Sequence, residues 1–345
     1  MPHGVFKMTA PKLTNIRKLA PKDQEVKTTL ESYVSHFEAT TEGRKSKYKQ
    51  IANDYYDLAT HFYEFGWGPS FHFAPRYNGE NLAASLARYE YSLAHRLQLQ
   101  PGMKVLDIGC GIGGPMRAIA RFSGSHILGI NNNAYQIQRG QKLNSDAGLS
   151  ELCDFLKTDF MQMPLPDQSV DAIYTIDAIC YAPDKKMLGI ELLRVMKDGS
   201  YIAGNDWCLT DRYDPNNPEH RSIKEGIEIG CGLGDIGFTT DTIAAFRGAG
   251  LEVIESHDLA LDSDPETPWY LPLAEIGSWK GLKNTVIGRS FIHHMVRTLE
   301  TVRVAPKGST DVHKILRTGA DALVLGGKSG IFTPLFFFYA RKPTF

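Results

Sequence analysis

The residues Val105-Leu106-Asp107-Ile108-Gly109-Cys110-Gly111-Ile112-Gly113-Gly114 run from an apolar stretch through an acid into a turn dense in glycine. Without a Cβ at Gly109, Gly111 and Gly113, the backbone can come close to a ligand where a side chain would clash. The spacing Asp-x-Gly-x-Gly-x-Gly differs from the Gly-x-Gly-x-x-Gly of nicotinamide-binding turns. By itself the run also fits a strand-to-helix turn that binds nothing. A second group is aromatic. Tyr56, Tyr63, Phe65, Trp67, Phe71, His72 and Phe73 crowd around Gly66 and Gly68, in a stretch that does not repeat at helical spacing. Aromatic clusters usually bury themselves in a core. Their faces also stabilise cations, by roughly 2 kcal/mol or more when desolvated, which suits a reaction that forms a carbocation in a dry pocket.

The elements that must position these groups begin at Lys104. Lys104–Ile108 reads as a strand and Pro115–Phe122 as its helix. Further strands are expected at His126–Ile130, Cys153–Leu156, Val170–Ile176 and Ser200–Gly204. Helices are expected from Ala134 to about Ala147, capped by Gly148, and at Lys185–Met196. This alternation implies a doubly wound parallel α/β sheet. Ligands of such sheets sit beyond the carboxyl ends of the strands. Here those ends are Asp107, Asn131, Asp159, Asp177 and Asn205-Asp206, and four of the five carry an acid. At Asn131 an amide can accept from one ribose hydroxyl and donate to another; Asn131-Asn132-Asn133 also reads as a turn before a helix. Asp159 can accept from an adenine amino group while Phe160 stacks on the ring; a helix cap or a loop salt bridge is the other reading.

Residues 23–50 are polar and helix-permissive, with little apolar periodicity. Leu82, Leu86, Tyr89, Leu93 and Leu97 mark an amphipathic helix over residues 80–98, ended by Pro101-Gly102. From Thr210 onward the texture is polar and aromatic, with a helical, amphipathic region around Ile276–Arg303. Strand-like runs lie at Leu251–Ser256 and Thr333–Ala340. The resulting organisation is a partly flexible N-terminal segment (1–50), an aromatic and helical substrate segment (51–100), a cofactor-binding sheet domain (101–210) and a substrate-shaping α+β region (211–345). Phe336-Phe337-Phe338-Tyr339 reads as a core strand rather than an anchor.

Composition excludes some classes. The 345 residues are 42% hydrophobic and 22% charged, as in globular proteins. A net charge of −1 creates no field that points to nucleic acid. Cys110, Cys153, Cys180, Cys208 and Cys231 are scattered without metal-ligand spacing, so reduced thiols in an intracellular compartment are expected, with no metal. No apolar run approaches the roughly 18 residues of a bilayer span, and the N-terminus lacks the apolar core of a signal peptide. Lys7, Lys12, Arg17, Lys18 and Lys22 make residues 1–22 basic without acids. That reads as a disordered basic tail, an organelle-targeting signal or a contact for anionic lipid.

The acid and glycine turn resemble the cofactor loop of S-adenosylmethionine-dependent methyltransferases. More specifically, Tyr63-Glu64-Phe65-Gly66-Trp67-Gly68-Pro69-Ser70-Phe71-His72-Phe73 resembles the aromatic signature of sterol C-24 methyltransferases. Gly109–Pro115, Asn131–Ile137, Asn217–Arg221, Pro268-Trp269-Tyr270 and Gly326–Pro334 are similar to that family too, so the resemblance spans roughly residues 50–343. It implies a Rossmann-like methyltransferase sheet using S-adenosylmethionine and releasing S-adenosylhomocysteine, with no metal. The turn would cradle the methionine part of the cofactor, and Asp107 would take its amino group in a charge-assisted hydrogen bond. Gly109, Cys110, Gly111, Gly113, Asn131, Gln136, Asp159, Phe160 and Asp177 are the other expected cofactor contacts.

In this family's chemistry a sterol side-chain alkene attacks the methyl group, so no base is needed to activate the nucleophile. A tertiary carbocation forms, a hydride shifts from C-24 to C-25, and a base removes a proton. The enzyme must exclude water, align the reactants and place negative or π charge near the cation. Tyr63, Phe65 and Trp67 are the candidate cation stabilisers. Glu64, Asp177 and Asp206 are the candidate acids, and Glu64 is also a candidate for holding the sterol 3-hydroxyl. The resemblance further implies a homo-oligomer, bound peripherally to the cytoplasmic side of the endoplasmic reticulum or to a lipid droplet.

The chain departs from the family where the substrate should lie. Resembling enzymes read Ile-Glu-Ala-Thr-Cys-His-Ala-Pro; here the run is Ile176-Asp177-Ala178-Ile179-Cys180-Tyr181-Ala182-Pro183. Tyr-Glu-Trp has become Asn205-Asp206-Trp207, and Gly-Asn-Gly or Gly-Asp-Gly has become Gly230-Cys231-Gly232. Shortening a carboxylate moves its charge by about 1 Å, a shift able to cost about 100-fold in rate. Tyr181 stands where a histidine base would be and is a candidate to replace it. The alternatives are therefore the same chemistry on squalene, another triterpene or a 24-methylene sterol, or a catalytically dead lipid-binding relative.

Overall fold

The computed structural model describes residues 23–37, 39–275, 300–301 and 305–344. The basic segment 1–22 and almost all of the helical reading at 276–303 lie outside the described residues. Strands β1 (Lys104–Ile108), β2 (His126–Asn131), β3 (Cys153–Lys157), β4 (Val170–Ile176), β5 (Met196–Leu209), β6 (Glu252–Asp258) and β7 (Phe332–Arg341) form one sheet in the order β3-β2-β1-β4-β5-β7-β6. The first five strands pair in parallel, and β7 is antiparallel to β5 and to β6. Strand order reverses between β1 and β4. The crevice at that point lies over the turn after β1 and over Asp177 after β4.

Helices on both faces bury the central strands from both sides. Leu86, Tyr89 and Leu93 of α4 (Leu82–Arg96) and Met116 and Ile119 of α5 (Gly114–Ser123) pack on Val105, Ala172 and Tyr174. Leu188 and Leu192 of α7 (Lys185–Val195), with Ile243 and Phe246 of α9 (Thr239–Ala249), cover Leu106, Ile173 and Ile202 on the other face. The period of two along each strand sorts neighbours to opposite faces. Helix α6 (Ala134–Asp146) is capped by Asn133, whose side chain accepts from the Gln136 amide at 2.8 Å.

Two further apolar clusters build a cap at the site end. One starts where β5 ends, at Leu209, and joins Phe73, Trp207 and Trp269 to Ile227 of α8 (Pro218–Cys231) and Leu323 of α11 (Ser309–Ser329). The other joins Tyr33 of α1 (Asp23–His36) to Ile51, Tyr55 and Leu58 of α3 (Tyr48–Gly66) and to Val312 of α11. The short helices α2 (Thr41–Ser46) and α10 (Leu271–Glu275) complete the cap. No helix among the described residues is long and apolar enough to cross a membrane.

Two elements differ from the sequence expectation, and a third, α11, lies where none is expected. The aromatic run is a single helix up to Gly66, with Ile51, Tyr55, Leu58 and Ala59 buried at helical spacing. Its aromatics hide that period because α3 packs on different neighbours on different sides. Helix α11 carries Gly319, Gly326 and Gly327 in its interior, which weakens a helical reading. The fold needs one of them at the crossing with α8: a Cβ on Gly319 would meet the Gly230 backbone at 2.8 Å. Strand β5 is longer than Ser200–Gly204. Register shifts at its start and at Asp206/Cys208 let it continue to Leu209, so Asn205 and Asp206 lie inside the strand, paired with Phe337 and Phe336.

Candidate active site

The turn after β1 is held by the Gly109 and Cys110 amides, which both donate to Ile130 O, at 2.9 and 3.2 Å. Gly109, Gly111 and Gly113 have φ of +74°, +54° and +76°, a region costly for residues with a Cβ. A Cβ on Gly109 would overlap Ala178, and one on Gly113 would meet Phe155 at 2.9 Å. At Gly111 the nearest atom stands 3.9 Å away, on Phe71. Gly111 therefore presents bare backbone to a cavity. Asp107, Gly109, Cys110, Gly111, Asn131, Gln136, Asp159, Phe160 and Asp177 all line that cavity. Gly113 does not; it lets the turn pack on Phe155.

Asp107 is 2% exposed and accepts a hydrogen bond from Tyr174 Oη at 2.8 Å. Burial, reinforced by the charge of Glu90, pushes its carboxyl up to about 7, against the Tyr174 bond and the charge of His72. A buried carboxyl in that state is short of a cation. The bare turn backbone and this acid fit the amino-acid end of S-adenosylmethionine. Asn131 braces the loop: its Nδ2 donates to Gly111 O at 3.0 Å and to Gln136 Oε1 at 2.9 Å. A carboxylate could not donate to the Gly111 carbonyl, which accounts for an amide here. Asp159 accepts from Tyr48 Oη and from Lys49 Nζ, the latter at 2.8 Å. Burial raises its carboxyl, but these partners outweigh that and hold it below its ordinary value.

A larger cavity of about 690 Å³ lies on the other side of α3, lined by Tyr63, Phe65, Trp67, Phe71, Phe73, Trp207 and α11. This size suits a lipid-sized ligand. Phe73 is central: its ring centroid lies 5.2 Å from Trp67, 5.8 Å from Trp207 and 5.0 Å from Trp269. The Tyr63 ring stands 5.4 Å from Phe71. Phe65 is 73% exposed and so belongs to the mouth rather than the floor.

The two cavities share Tyr56, Phe71, His72, Asp177 and Tyr181. Asp177 adopts φ +54°, strained for a residue with a Cβ. Its carboxylate accepts from the Phe73 amide at 3.0 Å and from Asn205 Nδ2, and Tyr89 Oη braces Asn205 at 2.8 Å. Asp177 and Asn205, both departures from the family pattern, are thus one hydrogen-bonded unit. Burial pushes the Asp177 carboxyl up to about 6, against His72 and the bonds from Phe73 and Asn205. Tyr181 donates to Cys231 O at 2.8 Å and lies 3.0 Å from Tyr56 Oη. Burial raises its hydroxyl well above the ordinary value. It therefore stays protonated near neutral pH.

Two expected acids are not in either cavity. Glu64 turns away to Arg139, whose Nε donates to both carboxylate oxygens at 2.9 and 3.0 Å. It therefore neither faces a carbocation nor meets the 3-hydroxyl of a ligand in the aromatic cavity. Asp206 follows Asn205 on β5, so pleating sends it to the opposite face. There it pairs with Lys185 and accepts from Thr242 Oγ1 at 2.7 Å, fully buried. Its role is structural. Asp206→Ala would leave the Lys185 ammonium largely buried without its anion, a loss of roughly 3–5 kcal/mol. The expected result is a melting temperature lowered by several degrees in thermal denaturation, and an unchanged transition would refute the assignment.

One buried pair was not singled out from the sequence. His72 is fully buried with Nδ1–H donating to Phe73 O at 2.7 Å and Nε2 on Glu90 Oε1 at 3.1 Å. Burial pulls the imidazole down, but the bond and charge of Glu90 outweigh it and leave it above its ordinary value. The signal was an acid on the apolar face of α4, among Leu86, Tyr89 and Leu93.

Comparison with known proteins agrees with this geometry. A family model described as "Methyltransferase domain" matches residues 106–204, and one described as "Sterol methyltransferase C-terminal" matches residues 279–344. The chain is 52% identical to cycloartenol-C-24-methyltransferase of Arabidopsis thaliana, covering 88% of this chain and 90% of that one. It is 41% identical to sterol 24-C-methyltransferase of Saccharomyces cerevisiae, covering 96% and 90%. Among solved structures, the cyclopropane synthase MmaA2 from Mycobacterium tuberculosis shares the fold at a TM-score of 0.69 and 15% identity, covering 85% of this chain and 98% of that one. With relatives this similar over nearly the whole chain, and with an acid-glycine cofactor loop meeting an aromatic cavity, the chain belongs to the sterol C-24 methyltransferases, S-adenosylmethionine-dependent enzymes built on a Rossmann-like sheet.

Proposed function

We propose that this chain methylates C-24 of a Δ24 sterol and that cycloartenol is its acceptor. The observation that carries the reading is the junction of the two cavities at Tyr56, Phe71, His72, Asp177 and Tyr181. Bound S-adenosylmethionine supplies an electrophilic methyl group. Asp107 and the Gly109–Gly111 backbone hold the amino-acid end of the cofactor, and Asn131 and Gln136 shape the cavity wall beside it. Tyr63, Trp67, Phe71 and Phe73 keep water from the acceptor side chain and turn π faces toward the cation left on it. Asp177 is the carboxylate at the junction; it stabilises the cation and takes the proton that ends the reaction. Tyr181 stays neutral and lines the pocket through its bonds to Cys231 and Tyr56.

The acceptor is a membrane lipid. Phe65 and Leu325, exposed at 73% and 49% where they line the aromatic cavity, support peripheral contact with a lipid surface. The test supplies purified protein with methyl-labelled S-adenosylmethionine and, separately, cycloartenol, a 24-methylene sterol and squalene, with products read by mass spectrometry. Label in cycloartenol is the expected result. Label confined to squalene or to the 24-methylene sterol would overturn the acceptor assignment.

A further inference from the structure

Glu64 lies between two residues of the acceptor cavity, Tyr63 and Phe65, yet points away from that cavity. Successive residues of a helix turn by about 100°, so this side chain belongs to another face of α3. That face is bonded to the cofactor side along its whole length. Lys49 binds Asp159 at 2.8 Å. Asp57 accepts from Asn133 Nδ2 at 2.7 Å, and Thr60 Oγ1 accepts from Gln136 Nε2 at 3.1 Å. His61 meets Tyr135 Oη at 3.0 Å, and Glu64 closes the series in the fork of Arg139. The pairs 57/133, 60/136 and 64/139 advance three or four residues on each helix, one rung per turn. Helix α3 is therefore a wall shared by the two sites. Asn133 and Gln136 line the cofactor cavity and hold α3, while Tyr56, Tyr63 and Phe65 line the acceptor cavity from the same helix.

We propose that Glu64 is a positioning residue: through Arg139 it ties the aromatic wall of the acceptor cavity to the cofactor-side helix, so that the two ligands bind with positive coupling. The charged, bidentate fork is the strongest geometry among the rungs, and it sits beside Tyr63, next to the cation-facing rings. A ligand that orders α6 orders α3 with it, and an acceptor then meets a wall already in place.

The inference rests on the methyltransferase reading for its probes: S-adenosylhomocysteine, and whichever acceptor the labelling screen identifies. A wrong acceptor and absent coupling are thereby separate results. Acceptor dissociation constants are measured with the full chain, by quenching of tryptophan fluorescence, with and without saturating S-adenosylhomocysteine. Trp67 and Trp207 line the cavity and report the binding. In the wild type, S-adenosylhomocysteine is expected to tighten acceptor binding about tenfold, with the same factor read reciprocally. Glu64→Gln and Arg139→Gln are expected to bring the factor to within about twofold of one, while changing S-adenosylhomocysteine affinity alone by less than about threefold. The double variant Glu64→Arg with Arg139→Glu is expected to recover most of the factor, which mere damage to the fold would not allow. A wild-type factor of one would overturn the proposal before any variant is made. Single variants that keep the full factor would overturn it equally.

Discussion

Asp107→Asn is expected to weaken S-adenosylmethionine binding about 100- to 1,000-fold, or roughly 3–4 kcal/mol. The substitution keeps the shape and an oxygen for Tyr174, and removes only the charge that would pair with the cofactor's amino group. The pH dependence has a definite sign. The carboxyl is held up to about 7 by burial, so the ligand-free protein carries it protonated below that pH. Affinity is expected to fall about tenfold per unit below pH 7 and to level off above it. The asparagine variant should show no such limb. Stability runs the other way. A carboxyl whose folded value exceeds the ordinary value near 4 favours the fold while protonated. That contribution is complete at low pH and is lost as pH rises to about 7, a change on the order of 4 kcal/mol. At pH 8 the ligand-free Asp107→Asn protein is therefore expected to melt higher than the wild type, and its melting temperature should respond only to cofactor concentrations about 100- to 1,000-fold higher. Calorimetry across pH 5–9 checks both halves, and a variant that binds cofactor as tightly as the wild type would refute the placement.

The strands that carry the site were legible because each is buried on both faces and bounded by turn residues. β1, β2, β3 and β4 fall within a residue of their expected ends, and four of the five expected strand-end positions reach the cofactor cavity. The fifth failed for a reason of pleating and register. β5 continues past Gly204, so Asn205 and Asp206 face opposite sides of the sheet, and only Asn205 turns toward the site. The composition of the run, two polar residues after an apolar one, reads as a strand end. What keeps these groups inside the strand is the Lys185 ammonium on one side and Asp177 on the other, both contributed from elsewhere in the chain.

Long-range pairing explains the remaining misses. Glu64 lies in a run whose aromatic neighbours do line the acceptor cavity, and nothing local shows that Arg139, 75 residues away, claims it. Asn131 lines the cofactor cavity as expected, and its second task, holding the Gly111 carbonyl and Gln136, depends on partners the local sequence does not show. Helical period was hidden in α3 by the same double duty. A helix that is a wall for two cavities shows apolar or aromatic residues on more than one side, and a single-face template does not fit it.

Asp177→Asn is expected to lower kcat by about 10²- to 10⁴-fold, the range for loss of a positioned base, with the KM for acceptor changed only a few-fold. Asparagine tolerates the left-handed backbone that this position requires at φ +54°. It also keeps an acceptor for the Phe73 amide but turns its own amide NH2 toward Asn205 Nδ2, which donates to the carboxylate in the wild type, so a melting curve of the variant is read beside its kinetics to separate charge from folding. As a base the carboxyl must be ionised. With the group pushed up to about 6 in the ligand-free protein, wild-type kcat/KM is expected to rise about tenfold per unit up to that pH and to level off above it. The asparagine variant should be flat there. Its residual products should also change, because a cation that loses no proton at its usual position survives until another carbon loses one or water adds. A shift toward alkene isomers or a hydroxylated sterol, read by mass spectrometry, separates loss of the base from loss of binding. A kcat within about threefold of the wild type, with the same product, would move the terminal deprotonation to another group. His72 would not be the next choice, since the Phe73 carbonyl and Glu90 hold both its ring nitrogens as donors. The junction would then have to work through bound water, which its aromatic lining is built to exclude.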